Sequence, residues 1–455
     1  NVRYFLNLYN YIFFIIKYLF NLDYFSIYRS FNVKNFFYPK RVKIDKKKIA
    51  EILKGIKNKR DLQKIKISSI KIGDLLYDAY LRRFNLATID ITDKRLLKFS
   101  YEFFSLFYFW ENYFNSNKVK AVIAGDTAYE YGIICRIAIL KNIPTYIGAT
   151  TRLHRLDKNN LNIFEMREYK KEFELYDQNK QQIYRNYSKK FVEKKFLGER
   201  TIENKVSNLP DEKLFGKTQF SKKLIKNKNK VNCLIAAHHF SDAPNVWGEF
   251  LFVDFYEWVD FLGNLSNKLD YDWYIKLHPL DFKKNEKTIK YFLKKYKNFN
   301  LVPQKTSHTQ LISEGIDLVL TVYGTIGFEY AYHSIPVINA SQNNPHISFK
   351  FNLSPKSIDE YEKSIRNFKD LELNFDKNLF YEYYYMRYIN NFYLFSDELS
   401  LDNNRSLEQF DDHSPDIYRK WFKLFSENEH KKFYSKISKF IDSGKYRYKE
   451  NEIIL

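Results

Sequence analysis

Residues 318–338 read LVLTVYGTIGFEYAYHSIPVI. Two apolar runs enclose a turn of small residues in which Gly324 and Gly327 lie three apart, in a chain with only 13 glycines among 455 residues. A strand that ends in small residues and re-enters as a helix presents backbone N–H groups to an anion. In that reading Gly324 permits the tight turn and Gly327 a close approach to the first helical turn. Thr325 caps the helix and offers its hydroxyl to a phosphate. Glu329, about one turn further on, is placed to accept ribose hydroxyls. The plainer alternative is a capped turn with Glu329 in solvent.

Three other turns carry chemistry-bearing side chains after an apolar run. In KLHP, His278 ends a strand and is held by Pro279, so its imidazole is placed to donate to a second phosphate oxygen. In AAHHFSDAPN, His238 and His239 precede Asp242. In VIAGDTAYE, Asp126 and Glu130 follow a strand, and Asp74 and Asp78 in IGDLLYD are further acids. A carboxylate in such a place serves as a general base or as a nucleophile. The plainer reading of each is an N-cap or turn aspartate. His346 follows Pro345 and is read as lining a cleft. No Asp-x-Asp at a strand end and no His/Cys set with ligand spacing occurs, so no metal is expected.

These turns need elements to hold them. After residue 230, runs of strand length alternate with segments of helical spacing: VNCLIAAHH, FYEWVDFLGNLSNKL, DWYIKLHP, KNEKTIKYFLKKYK, NFNLVP, HTQLISEG, IDLVLTVYG, TIGFEYAYHS and IPVINA. This βαβ series predicts a doubly wound parallel sheet. A similar series is less clean in the first half: the aromatic helix LLKFSYEFFSLFYFWENYF, the strand KVKAVIAGD, the helix AYEYGIICRIAILKN and the strand IPTYIGA. The helix is read with Tyr131, Ile134, Ile137 and Ala138 on its apolar face. Residues 204–230 lose periodicity and are rich in Lys, Asn, Pro and Gly, the composition of a linker. The expected organisation is α/β: N-terminal aromatic helices over 1–40, a Rossmann-like domain over 41–215, a second over 228–375, and a helical segment over 376–455. In open parallel sheets ligands sit at the carboxyl ends of the strands, which is where the unusual groups lie.

The pair KLHP and TVYGTIGFEYAYHSIPVI resembles bacterial capsule and surface-polysaccharide glycosyltransferases of the GT-B fold. It is most similar to those that use CMP-activated ulosonic acids, the capsule Kdo transferases and the bacterial polysialyltransferases. The stretches SIKIGDLLYDAYLRR, AAHHFSDAPN and NNPHISFKFNLSPKS look like wider signatures of surface-carbohydrate biosynthesis. The resemblance implies two Rossmann-like domains and a CMP-sugar donor. His278, Pro279, Gly324 and Thr325 would hold the donor phosphate, with Gly327 and Glu329 beside it and His238, His239 and His346 on the donor side. It implies a glycan or glycolipid acceptor on the N-terminal domain, hence Asp126 as base, with Asp242 as nucleophile or sugar contact. No separate cofactor is implied. The chain lacks the paired-acid–glycine motif of the polysialyltransferases and has one Thr in a turn where several Ser or Thr are common. UDP-sugar transfer and CDP-glycerol polymer synthesis are the alternatives within the fold.

Composition bounds the rest. The formal net charge is +21 with a pI near 9.4, which favours anionic partners, although an AT-rich genome also gives such a Lys- and Asn-rich chain. A basic nucleic-acid-binding protein is the reading from another class, but no recognition-helix, RNP or zinc pattern supports it. A non-catalytic scaffold is a third. Cys135 and Cys233 each lie in an apolar run and read as buried thiols of a reducing compartment. Residues 4–28 are apolar and aromatic but interrupted by Asn, Lys and Asp, so they predict neither a clean span nor a cleaved signal. Followed by PKRVKIDKKK, they suit either a helix packed on its own domain or a peripheral contact with an anionic inner membrane. The expected location is cytoplasmic.

Overall fold

The computed structural model describes residues 8–22, 24–30, 32–36, 39, 42–149, 152–162, 166–201, 215, 222–225, 229–278, 282–304, 306–390 and 427–448. Pro279 and most of the expected linker fall outside the described residues. The chain forms two compact units: unit 1 gathers the described residues of 1–77, 91–161 and 391–455, and unit 2 those of 78–90 and 162–390.

Unit 2 holds a parallel sheet of five strands: β6 (Val231–Ala236), β7 (Tyr271–Lys276), β8 (Phe299–Leu301), β9 (Leu318–Thr321) and β10 (Val337–Asn339). Their order is β10-β9-β6-β7-β8, and every neighbouring pair is parallel. The chain therefore starts in the middle, winds outward through β7 and β8, returns beside β6 as β9, and winds the other way to β10. This is the doubly wound α/β arrangement that the alternating sequence predicts. β9 is buried at every position, so its unbroken apolar run is that of a strand covered on both faces.

The helices follow local rules. Phe255–Ser266 starts at Asp254, whose side chain accepts from the Glu257 N–H, and it buries Trp258, Val259 and Leu262 against the sheet. His308–Glu314 starts at Ser307 and stops at Gly315, whose φ of 104° is the left-handed close a glycine supplies. Gly263 is needed for packing, since a Cβ there would meet the Tyr296 ring at 2.2 Å.

Unit 1 carries a smaller sheet, β3 (Val122–Ala124), β4 (Thr145–Ala149) and β5 (Arg152–Leu156), in that order, with β3 parallel and β5 antiparallel to β4. A two-residue hairpin, β1 (Lys66–Ile67) and β2 (Ile70–Lys71), precedes it. The aromatic helix is present as Lys94–Ser116, capped by Asp93. In the helix Tyr131–Leu140 the expected Ile137 and Ala138 are buried, but Tyr131 is exposed, Ile134 is half-buried, and Ile133, Cys135, Arg136 and Ile139 widen the buried face. Gly132 is closely packed on that face, since a Cβ there would lie 2.4 Å from the Thr127 carbonyl oxygen and 2.8 Å from Leu75.

The units cut the chain elsewhere than the expected boundaries. The helices Tyr169–Glu174 and Gln178–Phe196 group with unit 2. The reason is aromatic and ionic: Tyr184 stacks on Tyr385 at 4.1 Å, and Lys170 and Arg185 both reach the buried Glu382. Residues 377–390 are likewise part of unit 2, while 78–90 leave the N-terminal series to join it.

Candidate functional site

The two halves of the unit 2 sheet wind away from each other between β6 and β9. At such a reversal the loops leaving the strands diverge and open a crevice at the carboxyl edge. The loop after β6 brings His238 there, the loop after β9 brings Tyr323, Gly324 and Thr325, and the loop after β7 brings His278.

His238 is bound into the frame. Its Nε2 accepts from the Tyr323 N–H at 3.2 Å and lies 3.4 Å from Thr321 Oγ1. Its ring stacks on Phe255 at 4.7 Å. Burial, reinforced by the charge of His278 and opposed by Asp242, lowers its pKa to about 3. It is therefore a neutral imidazole whose Nε2 accepts, which assigns the proton to Nδ1. His238 joins the two loops that flank the reversal as a neutral hydrogen-bond acceptor. Tyr323 completes the tie, donating its hydroxyl to the Pro244 carbonyl at 2.8 Å and stacking on Trp247.

The glycine turn is tight where the sequence places it. A Cβ on Gly324 would lie 2.8 Å from Thr321 Oγ1. Thr325 departs from its expected role, since it precedes the helix Ile326–Tyr332 in helical conformation and makes no side-chain cap. Its side chain is exposed. Gly327 does admit a close neighbour, but from within the protein: a Cβ there would meet Asn352 Nδ2 at 2.7 Å and the His346 ring at 2.9 Å.

Two expected donor contacts are corrected. Glu329 is neither solvated nor open to a ribose; its Oε1 pairs with Lys195 Nζ at 2.8 Å, and both side chains are about nine-tenths buried. His346 lines no surface. It is fully buried among Gly327, Phe351 and Tyr383, and neither ring nitrogen has a hydrogen-bond partner. Burial and then Arg387 lower its pKa to about 3.

The loop after β6 is pinned to the segment 78–90. Asp78, buried, accepts from the Asn245 N–H at 3.1 Å and from its Nδ2 at 2.7 Å. Ser241 donates to Asn85 and lies 3.2 Å from His239 Nδ1. Asp242 is exposed and pairs with Arg82 at 3.2 Å. Asp78, Arg82 and Asn85 thus belong to the frame of this site. In the sequence Asp78 and Arg82 fall in IGDLLYDAYLRR and Asn85 two residues beyond it, and nothing there names a partner so far along the chain.

Lys276, two residues before His278, is a further charged group at this edge and has no local signal in the sequence. It is the last residue of β7, and its buried ammonium donates to the Thr306 carbonyl at 2.8 Å. Desolvation lowers its pKa to about 8. Nearby, Tyr330 hydroxyl and His308 Nδ1 are 3.0 Å apart, and burial, followed by the charges of Lys276 and Lys195, pushes the His308 pKa well down.

Asp126 belongs to unit 1. Its Oδ1 accepts from the Thr127 N–H at 2.6 Å and from the Ala128 N–H at 3.0 Å, the geometry of a turn aspartate. In the same unit Asp74 is committed to a buried bidentate pair with Arg136, at 2.6 and 2.9 Å. Burial alone would raise its pKa, but Arg136, Lys71 and the Leu75 N–H together hold the carboxyl below its usual value. Asp74 is therefore structural. Burial pushes the Cys135 thiol up to about 12 and that of Cys233 well up, so neither is a ready nucleophile. Among the described residues no group of three His, Cys, Asp or Glu is placed to hold a metal ion.

Comparison with known proteins gives structural likenesses at low similarity. The Thermosulfurimonas dismutans KpsC, a beta Kdo 2,4 transferase, aligns over 58% of this chain and 79% of its own, at 11% identity and a TM-score of 0.34. The Neisseria meningitidis UDP-GlcNAc 2-epimerase bound to UDP-GlcNAc aligns over 67% and 86%, at 12% identity and a TM-score of 0.27. The Methanocaldococcus jannaschii UDP-GlcNAc 2-epimerase, in complex with UDP-GlcNAc and UDP, aligns over 68% and 93%, at 13% identity and 0.28. No family model and no curated protein sequence matches. The α/β class rests on the chain's own sheets.

Proposed function

We propose that the protein is a glycosyltransferase that takes an acidic, ulosonic-type sugar from a CMP-activated donor and adds it to a glycan or glycolipid of a surface polysaccharide. The observation that supports this reading is that His278 follows β7, and Tyr323, Gly324 and Thr325 follow β9, at the carboxyl edge of a sheet whose order reverses between β6 and β9, the edge where a doubly wound sheet takes a nucleotide. In this reading His278 donates to the donor phosphate and the Thr325 hydroxyl adds a second bond. His238 keeps the β6 and β9 loops in register. The KLHP and YGTIGFE motifs supply the CMP assignment through their resemblance to capsule transferases.

Transfer also requires a group to deprotonate the acceptor hydroxyl or to carry the sugar. Asp126 and Asp242 are the proposed acids, and no metal is assigned a step. The test is turnover. The protein is incubated with CMP-Kdo, CMP-sialic acid, UDP-sugars, GDP-sugars and CDP-glycerol over capsule-type acceptors, and nucleotide release is followed. Acceptor-dependent release of CMP from CMP-Kdo or CMP-sialic acid, and not from CDP-glycerol, supports the reading. Release of UDP from a UDP-sugar, or of CMP from CDP-glycerol alone, moves the donor assignment to the alternatives within the fold.

A further inference from the structure

The helix Leu8–Leu19 in unit 1 is turned the wrong way for a water-facing helix. Its inward side is aromatic: Phe14 and Tyr18 meet Phe25 at 5.4 and 5.7 Å, and Tyr18 and Phe25 both pack on Phe36. Over the described side chains its outward side is aliphatic and aromatic. Ile12, Phe13, Ile16, Leu19 and the following Phe20 are 42–71% exposed. At 3.6 residues per turn these five fall within about 120° of arc, a single continuous stripe. Lys17 borders the stripe, with Nζ 5.0 Å from the Phe13 ring. Amphipathic helices of globular proteins place their polar face in this position, and contiguous exposed apolar patches mark contact surfaces.

We propose that this stripe docks on the surface of an anionic lipid bilayer. The helix is 12 residues long, about 18 Å, so it lies in the interface and does not cross; no described helix is long and apolar enough to cross a membrane. Lys17 is placed to run its stem along the stripe and keep its ammonium among headgroups. Charge selects the occupant. Residues 8–44 contain six Lys or Arg and one acid, in a chain of net charge +21. That balance attracts an anionic surface and repels a second copy of the same chain. The inference holds whichever donor the protein uses.

Flotation of the full chain with vesicles tests it, using phosphatidylcholine with and without phosphatidylglycerol. The wild type is expected to float with the anionic vesicles and to partition at least about tenfold less without phosphatidylglycerol. The variant Ile12→Ser/Ile16→Ser/Leu19→Ser alters only exposed positions, so its melting temperature should hold while its partition falls at least about tenfold. In Leu19→Trp, vesicles should shift tryptophan emission to the blue. Equal flotation of wild type and triple variant overturns the proposal. So does unmoved emission, or an oligomer that the triple variant dissolves while neither protein floats.

Discussion

His346 has a ring buried against Gly327 with no partner at either nitrogen. An imidazole held there must be neutral, and this has a consequence for acid stability. Its folded pKa is about 3 against an ordinary 6.5. The unfolded chain takes up a proton near 6.5 and the folded chain does not, so stability is full above that pH and falls as pH drops toward 3. The slope is about 1.4 kcal/mol per pH unit for each such histidine. His238 adds to it in the same direction, through burial first and His278 second. Denaturant midpoints measured down from neutral pH should therefore fall less steeply for His346→Asn than for the wild type; equal slopes would count against a buried neutral ring. The sequence singled out both histidines, but as ligands. Spacing shows that a histidine follows a strand, whereas burial and the partner of Nε2 decide whether it faces a substrate or a neighbouring loop.

At the scale of elements, the helix Gln178–Phe196 meets the helix Ile326–Tyr332 through Lys195 and Glu329. A buried ion pair adds little over an apolar pair of the same size, but removing one partner strands the other charge, at roughly 3–5 kcal/mol. Lys195→Met is expected to lose that much in urea unfolding, and Lys195→Met/Glu329→Leu to recover most of it. Additive losses would mean the two side chains do not depend on each other. This contact is one reason that Gln178–Phe196 groups with unit 2. Strand and helix order in 228–375 was legible because each element carries its own period and stop signals, such as Ser307 and Gly315. The packing of 169–196 on 377–390 rests on Tyr184, Tyr385 and Glu382, residues remote in sequence whose pairing leaves no local pattern. The fixing of the β6 loop by Asp78 and Asn245 was hidden for the same reason.

At the scale of the whole molecule, the candidate acids divide between units, Asp126 in unit 1 and Asp242 in unit 2. Asp→Asn is a fair test at both. At Asp126 an amide oxygen still accepts the two turn N–H groups. At Asp242 the exposed pair with Arg82 is lost, worth at most about 1 kcal/mol. Loss of a general base costs about 10²–10⁴-fold in rate, so one of the two variants should transfer that much more slowly with donor binding intact. Near-normal turnover in both would remove these acids from the chemistry.

Nucleotide binding at the carboxyl edge of unit 2 tests the central claim most directly. Thermal shifts with CMP, CDP, UDP and GDP should show CMP stabilising the wild type. His278→Ala should abolish that shift, since a charge-assisted phosphate contact contributes about 1.5–3 kcal/mol, while the unliganded melting temperature stays near wild type because the His278 side chain is partly exposed. A CMP shift that survives His278→Ala, or stabilisation by UDP and GDP with none by CMP, would contradict the account.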